Sequence, residues 1–248
     1  MALPMRRRLG HSDAAGQLSF WPRHLYWRYV RHGAQHRRDA MAMQALTPVT
    51  GSYVPWTYFA MRPSAVVAIL NDIAVNHRTH IVECGGGVST LYIARLLRER
   101  AGHLHTVEES AEWADALRRQ IDMETLTEFV SVIHAPITDV LLGGRSHRWY
   151  SDEVVKELTG RRDIDLLIVD GPVAERIPHI RYPALPYFHD SLVESATVVV
   201  DDIDRRAEQE IVKRWEAELG LSFERRFFNG IAVAKVTRSA VEAGDRAR

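Results

Sequence analysis

A short apolar run, Thr79-His80-Ile81-Val82-Glu83, stops just before three consecutive glycines, Gly85 to Gly87. At Ser89 it gives way to apolar residues at helical spacing. Such a run bounded by glycines reads as a buried parallel strand. Glycines belong where the chain turns sharply from strand into helix and a ligand comes close to the backbone. The helix is expected over Ser89 to Arg100, with Ser89 or Thr90 as its cap. Its amide end then points at the turn, and at anything bound there.

The alternation continues down the chain. Strands are expected over Leu104–Val107, Phe129–His134, Ile164–Val169 and Thr197–Val200, the last two apolar enough to be central. Helices are expected over Ala111–Met123, over Ala184–Leu192 with Pro186 in its first turn, and over Asp204–Leu219, which stops at Gly220. Two final strands, Ser222–Phe228 and Ile231–Val236, are separated by Asn229-Gly230, a hairpin signal. Strand–helix alternation means a mostly parallel sheet covered on both faces, and the hairpin reverses one strand. The expected fold is therefore α/β: a Rossmann-like, doubly wound sheet of seven mostly parallel strands with the last antiparallel.

Upstream, Trp21 to Leu46 reads as helical, with Gly33 as a break and Tyr26, Val30 and Ala34 on one face. The expected division is a basic, aromatic helical extension over 1–51, the main domain over 52–236 and a polar tail over 237–248. The 32 basic and 32 acidic residues cancel overall, but residues 1–40 hold eight Arg against two Asp, a local +6. A basic arm on an acidic body offers a contact for nucleic acid, for a membrane surface through an amphipathic helix, or for a second copy of the chain in a homodimer. The plainer expectation is a solvated leader that packs on its own domain. The single cysteine, Cys84, rules out an internal disulfide and a cysteine-rich zinc site, and a reducing, cytoplasmic setting is the default. After the charged start at Arg6, Arg7 and Arg8 no apolar run follows, so no secretory signal is expected. No stretch approaches the ~18 apolar residues of a membrane span.

The glycine spacing narrows the ligand. A nicotinamide fingerprint needs G-x-G-x-x-G, and Gly85 and Gly87 are followed by Thr90 where the third glycine belongs. An acid, Glu83, stands two residues before the first glycine. A carboxylate there suits a cationic ligand end better than a pyrophosphate. Glu108 ends the second strand, where an acid accepts the ribose hydroxyls of an adenosine, and it is preferred to Glu109 because it directly follows apolar Val107.

The segments IVECGGGVSTLYIAR, HTVEES, DLLIVDGP and VVVDD resemble class I S-adenosylmethionine-dependent methyltransferases, and within them the small catechol- and caffeoyl-coenzyme A-type O-methyltransferases. The likeness runs from about Tyr53 to Val236. It implies that Glu83, Gly85 and Gly87, with Ser89 beside them, bind the methionine end of S-adenosyl-L-methionine. It implies that Glu108 holds the ribose, and that Ala135 and Pro136 sit near the adenine edge.

Asp170 ends the fourth strand and Asp201-Asp202 the fifth, on the same rim as the glycine turn. Three converging carboxylates repel unless protons or a cation offset them, and a hard ion such as Mg²⁺ takes oxygen ligands of this kind. The resembling enzymes place an acid, then an acid–amide pair, around such a metal; Asp202 departs from the amide. The open alternatives are that Asp170 touches only cofactor or acceptor, and that Asp202 or Asp204 caps the next helix. The resembling enzymes also carry a lysine soon after the fourth-strand acid, whereas Val173 stands near that place here. His179 is then preferred over His189 as general base, imidazole titrating near neutral pH, with both as surface groups the alternative. Arg181, Tyr182 and Tyr187 offer a grip on a polar acceptor.

The expected activity is methyl transfer to a hydroxyl of a small molecule or sugar, with or without a divalent metal. Two other classes stay open: a methyltransferase-like binding protein without catalysis, and a nicotinamide-dependent oxidoreductase. Methylation of nucleic-acid amino groups is not expected, since no Asn-Pro-Pro-Tyr or Asp-Pro-Pro-Tyr follows the fourth strand.

Overall fold

The computed structural model describes residues 23–49, 51–160, 162–173 and 177–237, with side chains from residue 32 onward. Its strands are β1 (His80–Cys84), β2 (His103–Glu108), β3 (Val130–His134), β4 (Ile137–Leu142), β5 (Arg145–Tyr150), β6 (Ile164–Val169), β7 (Leu192–Val200), β8 (Glu224–Arg226) and β9 (Ile231–Lys235). Seven of them form one sheet in the order β3-β2-β1-β6-β7-β9-β8. Strands β1, β2, β3, β6 and β7 pair in parallel, and β9 runs antiparallel to β7 and β8. This is the sheet expected from the sequence, with its last strand reversed.

The helices are α1 (Arg23–Ala45), α2 (Pro63–Asn76), α3 (Val88–Leu97), α4 (Ala111–Met123), α5 (Asp152–Val155), α6 (Ala184–Phe188) and α7 (Arg206–Leu219). Successive strand residues point to opposite faces, and in the central strands both faces are buried. Leu166 and Ile168 of β6 join one core with α2, α3 and α4. Leu167 and Val169 join the other, with α6, α7 and the β4–β5 hairpin. A continuous apolar run is what a strand covered on both sides requires.

Several boundaries differ from expectation, each for a local reason. The helix of the extension passes through Gly33 without a break. The N-cap of α3 is Gly87, not Ser89 or Thr90, because those two hydroxyls are turned toward Glu83. Helix α6 ends at Phe188, since Leu192 already belongs to β7. The N-cap of α7 is Arg205, without a side-chain cap bond, so neither Asp202 nor Asp204 fills that role. The β8–β9 connection takes Phe227 to Gly230 rather than Asn229-Gly230 alone. The β4–β5 hairpin was not anticipated, although Gly143-Gly144 at its turn, with φ of 56° and 76°, is a hairpin signal. The expected Tyr26 and Val30 stripe and most of the basic leader lie outside the described side chains.

A buried ion pair and a half-buried one fasten the layers. Arg95 donates to both carboxylate oxygens of Glu124 at 2.7 Å and to the Ser52 carbonyl at 3.0 Å, tying α3, the end of α4 and the segment before α2 together. Asp39 of α1 accepts from Arg62 at 2.6 Å and from the Ser64 hydroxyl at 2.7 Å. Gln35 donates to the Phe227 carbonyl at 3.0 Å. The described part of the extension is thus bonded to the loops around the sheet's C-terminal rim. Removing one partner of a buried pair leaves the other charge uncompensated, so Arg95→Ala is expected to lower the unfolding free energy by about 3–5 kcal/mol. Urea denaturation checks this; a loss within about 0.5 kcal/mol of wild type, the range of ordinary surface changes, would show that the pair carries no such load.

Candidate active site

The parallel strands end on one rim, and there the backbones of β1 and β6 touch. The Asp170 and Gly171 amides both donate to the Cys84 carbonyl, at 2.9 and 2.6 Å. A Cβ on Gly85 would lie 2.7 Å from the Gly171 nitrogen, and Gly85 also holds φ at +91°. Only glycine meets both conditions. A Cβ on Gly87 would meet nothing within 4 Å, because that residue borders a cavity of about 830 Å³. The volume lies within the usual range for a small-molecule site. A second hollow, about 620 Å³, lies between α2 and the β8–β9 edge, and no strand-tip acid lines it.

Glu83 is fully buried and does not line this cavity. Ser89 Oγ donates to one of its oxygens and Thr90 Oγ1 to the other, both at 2.5 Å. Ser89 does line the cavity. A hydroxyl has one proton, so a Ser89 that gives it to Glu83 keeps only acceptor capacity for a ligand. Thr90 Oγ1 also accepts from the Gly87 amide at 2.9 Å, closing the turn. Burial pushes the Glu83 carboxyl up to about 7, and its hydroxyl donors offset that only in part.

Glu108 lines the cavity and accepts from the Gly86 amide at 3.1 Å and the Ser110 amide at 2.9 Å. Burial, with the adjacent Glu109 charge, raises it to about 7. Trp113, from the first turn of α4, donates its indole N–H to the Gly86 carbonyl at 2.7 Å. The middle glycine is thus held from both sides, by an acid on its amide and an indole on its carbonyl.

Beyond β1 along the rim stand Asp170, Asp201 and Asp202, with an oxygen from each within 4.8 Å of the others. Burial raises Asp170 to about 6, against the pull of Arg181. Burial, then the Asp170 and Asp202 charges, pushes Asp201 well above the usual carboxylate range. Arg181, with a side chain 4% exposed, donates to Asp170 at 3.4 Å, to Asp202 at 3.0 Å and to the Pro172 carbonyl at 3.2 Å. Arg205 adds a second contact to Asp202 at 2.9 Å.

The structure therefore brings Gly85, Gly87, Ser89, Glu108, Asp170, Asp201 and Asp202 around one cavity, with Glu83 directly behind Ser89. Ala135 is fully buried and bonds through its amide to the Glu108 carbonyl; neither it nor Pro136 is on the cavity wall. His179 is not on the wall either: its Nε2 lies 2.9 Å from Glu210 on the exposed side of α7. His189, Tyr182 and Tyr187 likewise face elsewhere, Tyr182 bonding to Glu218 and Tyr187 to Asp152. Sequence reasoning missed Trp113, Arg62, Arg205 and the Tyr58-Phe59 wall. Their only signal was position, just after a strand-tip acid or just before a helix.

Glu83 carries a pH signature. Its folded pKa of about 7 lies above the ordinary 4.5, so the folded chain keeps a proton that the unfolded chain releases. The stability it contributes is present below about pH 4.5 and is lost as pH rises to about 7. Glu83→Gln is expected to remove on the order of 3 kcal/mol of that decline. Urea titrations at a series of pH values check this, and equal slopes in both proteins would refute it.

Residues 82–203 match a protein family described as a methyltransferase domain. No curated protein sequence matches the chain. Solved structures similar in fold include a putative caffeoyl-CoA O-methyltransferase from Staphylococcus aureus, at 12% identity and TM-score 0.51, covering 85% of this chain and 99% of that one. An O-methyltransferase from Bacillus cereus in complex with SAH is similar at 16% identity and TM-score 0.52, over 81% and 91% of the two chains. An SAH-bound methyltransferase from Podospora anserina is similar at 13% identity and TM-score 0.55, over 83% and 88%. Residues 82–203 thus match a methyltransferase domain, and the fold around them is that of class I S-adenosylmethionine-dependent methyltransferases.

Proposed function

We propose that the chain is an O-methyltransferase for a hydroxyl of a small molecule or a sugar, with residues 52–236 as the working domain. The observation that carries this reading is that one cavity joins the glycine turn and Glu108 at one end to the Asp170–Asp202 rim at the other. Adenosine recognition and acceptor chemistry then share a single space.

When bound, S-adenosyl-L-methionine supplies a methyl group on a sulfonium, which leaves as a neutral thioether. The residues fit its methionine end. Ser89, its proton committed to Glu83, presents an acceptor to an ammonium, and the N-terminal turn of α3 suits a carboxylate. Glu83 thus serves the cofactor through Ser89 rather than by direct contact. Gly87 leaves room for the ligand against the backbone, while Gly85 keeps the turn seated against Gly171. Glu108 keeps lone pairs beyond its two amide bonds for the ribose hydroxyls. Ala135 and Pro136 back the adenine end without reaching the cavity surface.

At the other end, Asp170 is our choice of proton acceptor in place of His179, which pairs with Glu210. The acceptor hydroxyl gives its proton to the carboxylate as its oxygen takes the methyl group. Arg181 holds that carboxylate in place. Arg62, from the loop before α2, and Arg205 stand on the same wall and can orient a polar acceptor.

Calorimetry tests the cofactor half: S-adenosylhomocysteine is expected to bind one per chain and NADH not at all. Glu108→Ala is expected to weaken that binding by about tenfold or more. With a methyl-labelled cofactor and a panel of hydroxylated acceptors, Asp170→Asn is expected to lower turnover by about 10²–10⁴-fold. Binding of NADH, or full turnover in Asp170→Asn, would sink the corresponding half.

A further inference from the structure

The three rim carboxylates converge as metal ligands do, but they are not free to receive an ion. The planar guanidinium of Arg181 spans the gap, one terminal nitrogen on Asp170 and the other on Asp202, while its Nε is spent on the Pro172 carbonyl. This is the fork geometry that lets arginine bridge two carboxylates. The side chain is 4% exposed, so it cannot swing into solvent without opening the core around it. Carboxylates surround it: Asp170, Asp201, Asp202 and Glu208 together hold it protonated despite its burial. Among the described residues neither buried Glu208 oxygen has a hydrogen-bond partner, so that carboxylate acts on Arg181 across space. Arg205 takes a further share of Asp202. A divalent ion on the same oxygens would have to sit against a buried guanidinium or expel it. The donor set therefore does not fit a resident Mg²⁺.

We infer that Arg181 is a built-in cation that takes the place of a divalent metal at the Asp170–Asp202 rim, fixing these carboxylates for a metal-independent transfer. The inference rests on the methyltransferase reading for its purpose, but its geometry stands without it. Arg181 acts through Asp170 and Asp202 and is a positioning residue.

Binding of Mn²⁺ to the full-length chain, followed by electron paramagnetic resonance, tests this. Wild type is expected to show no saturable site up to about 1 mM Mn²⁺, with or without S-adenosylhomocysteine. Arg181→Met frees the oxygens and is expected to bind one Mn²⁺ at least about tenfold more tightly than wild type, an affinity lost again when Asp170→Asn is added. Arg181→Gln serves the same comparison if the methionine variant does not fold. One Mn²⁺ bound to wild type at about 100 µM or tighter, and lost in Asp202→Asn, overturns the inference. So does a folded Arg181 variant that binds no better than wild type. Calorimetry with S-adenosylhomocysteine on the same samples separates the two readings. Its affinity is expected to hold within about twofold in EDTA or Mg²⁺, whereas absence of binding refutes the cofactor assignment and leaves the Mn²⁺ result standing.

Discussion

Everything at the rim follows from the contact between the ends of β1 and β6, where Gly85 and Gly171 meet backbone to backbone. Two parallel strands that part at their tips normally leave a crevice. Here the Cys84 carbonyl accepts from both Asp170 and Gly171, so the tips stay joined one residue longer. The turn into α3 is pressed to one side of that seam and Asp170 to the other. Any side chain on Gly85 would force the two apart and move the first turn of α3 away from Asp170.

A second constraint is the amount of acid this seam collects. Glu83, Glu108, Asp170 and Asp201 all lie above their ordinary pKa, and burial is the first cause in each case. The chain answers them in different ways. Glu83 is met by hydroxyls and Glu108 by backbone amides, both neutral donors. Only the Asp170–Asp202 group is met by arginine. Neutral donors leave a carboxylate able to respond to a charged ligand, whereas an ion pair fixes it.

The sheet was legible because its central strands are buried on both faces. Ile164–Val169 can be apolar at every position but Asp165 only in such a place, and its limits were read without error. The hairpin β4–β5 was not legible from periodicity: Arg145, Ser146, His147 and Arg148 are polar in succession, and only Trp149 and Tyr150 are fully buried. The acids at the strand tips could be read because position alone puts them on one rim. Their surroundings could not. Whether Glu83 faces the ligand or stands behind Ser89 depends on rotamers of the next helical turn, and whether three aspartates are vacant depends on an arginine at least ten residues away from all of them. His179 shows the same limit, since sequence distance from the rim says nothing of which side of α7 it meets.

Helix α1 holds the loops beside the rim by polar bonds rather than by fusion with the sheet: Asp39 to Arg62, Gln35 to the Phe227 carbonyl, Arg38 to Asn229 at 3.4 Å. The glycine turn and Glu108, by contrast, are braced by β1, β2, α3, α4 and the tip of β6. The two ends of the cavity are consequently held by different elements. Lineages descending from such a chain can remodel what they grip at one end by altering a single outer helix, while the half that reads adenosine passes on intact.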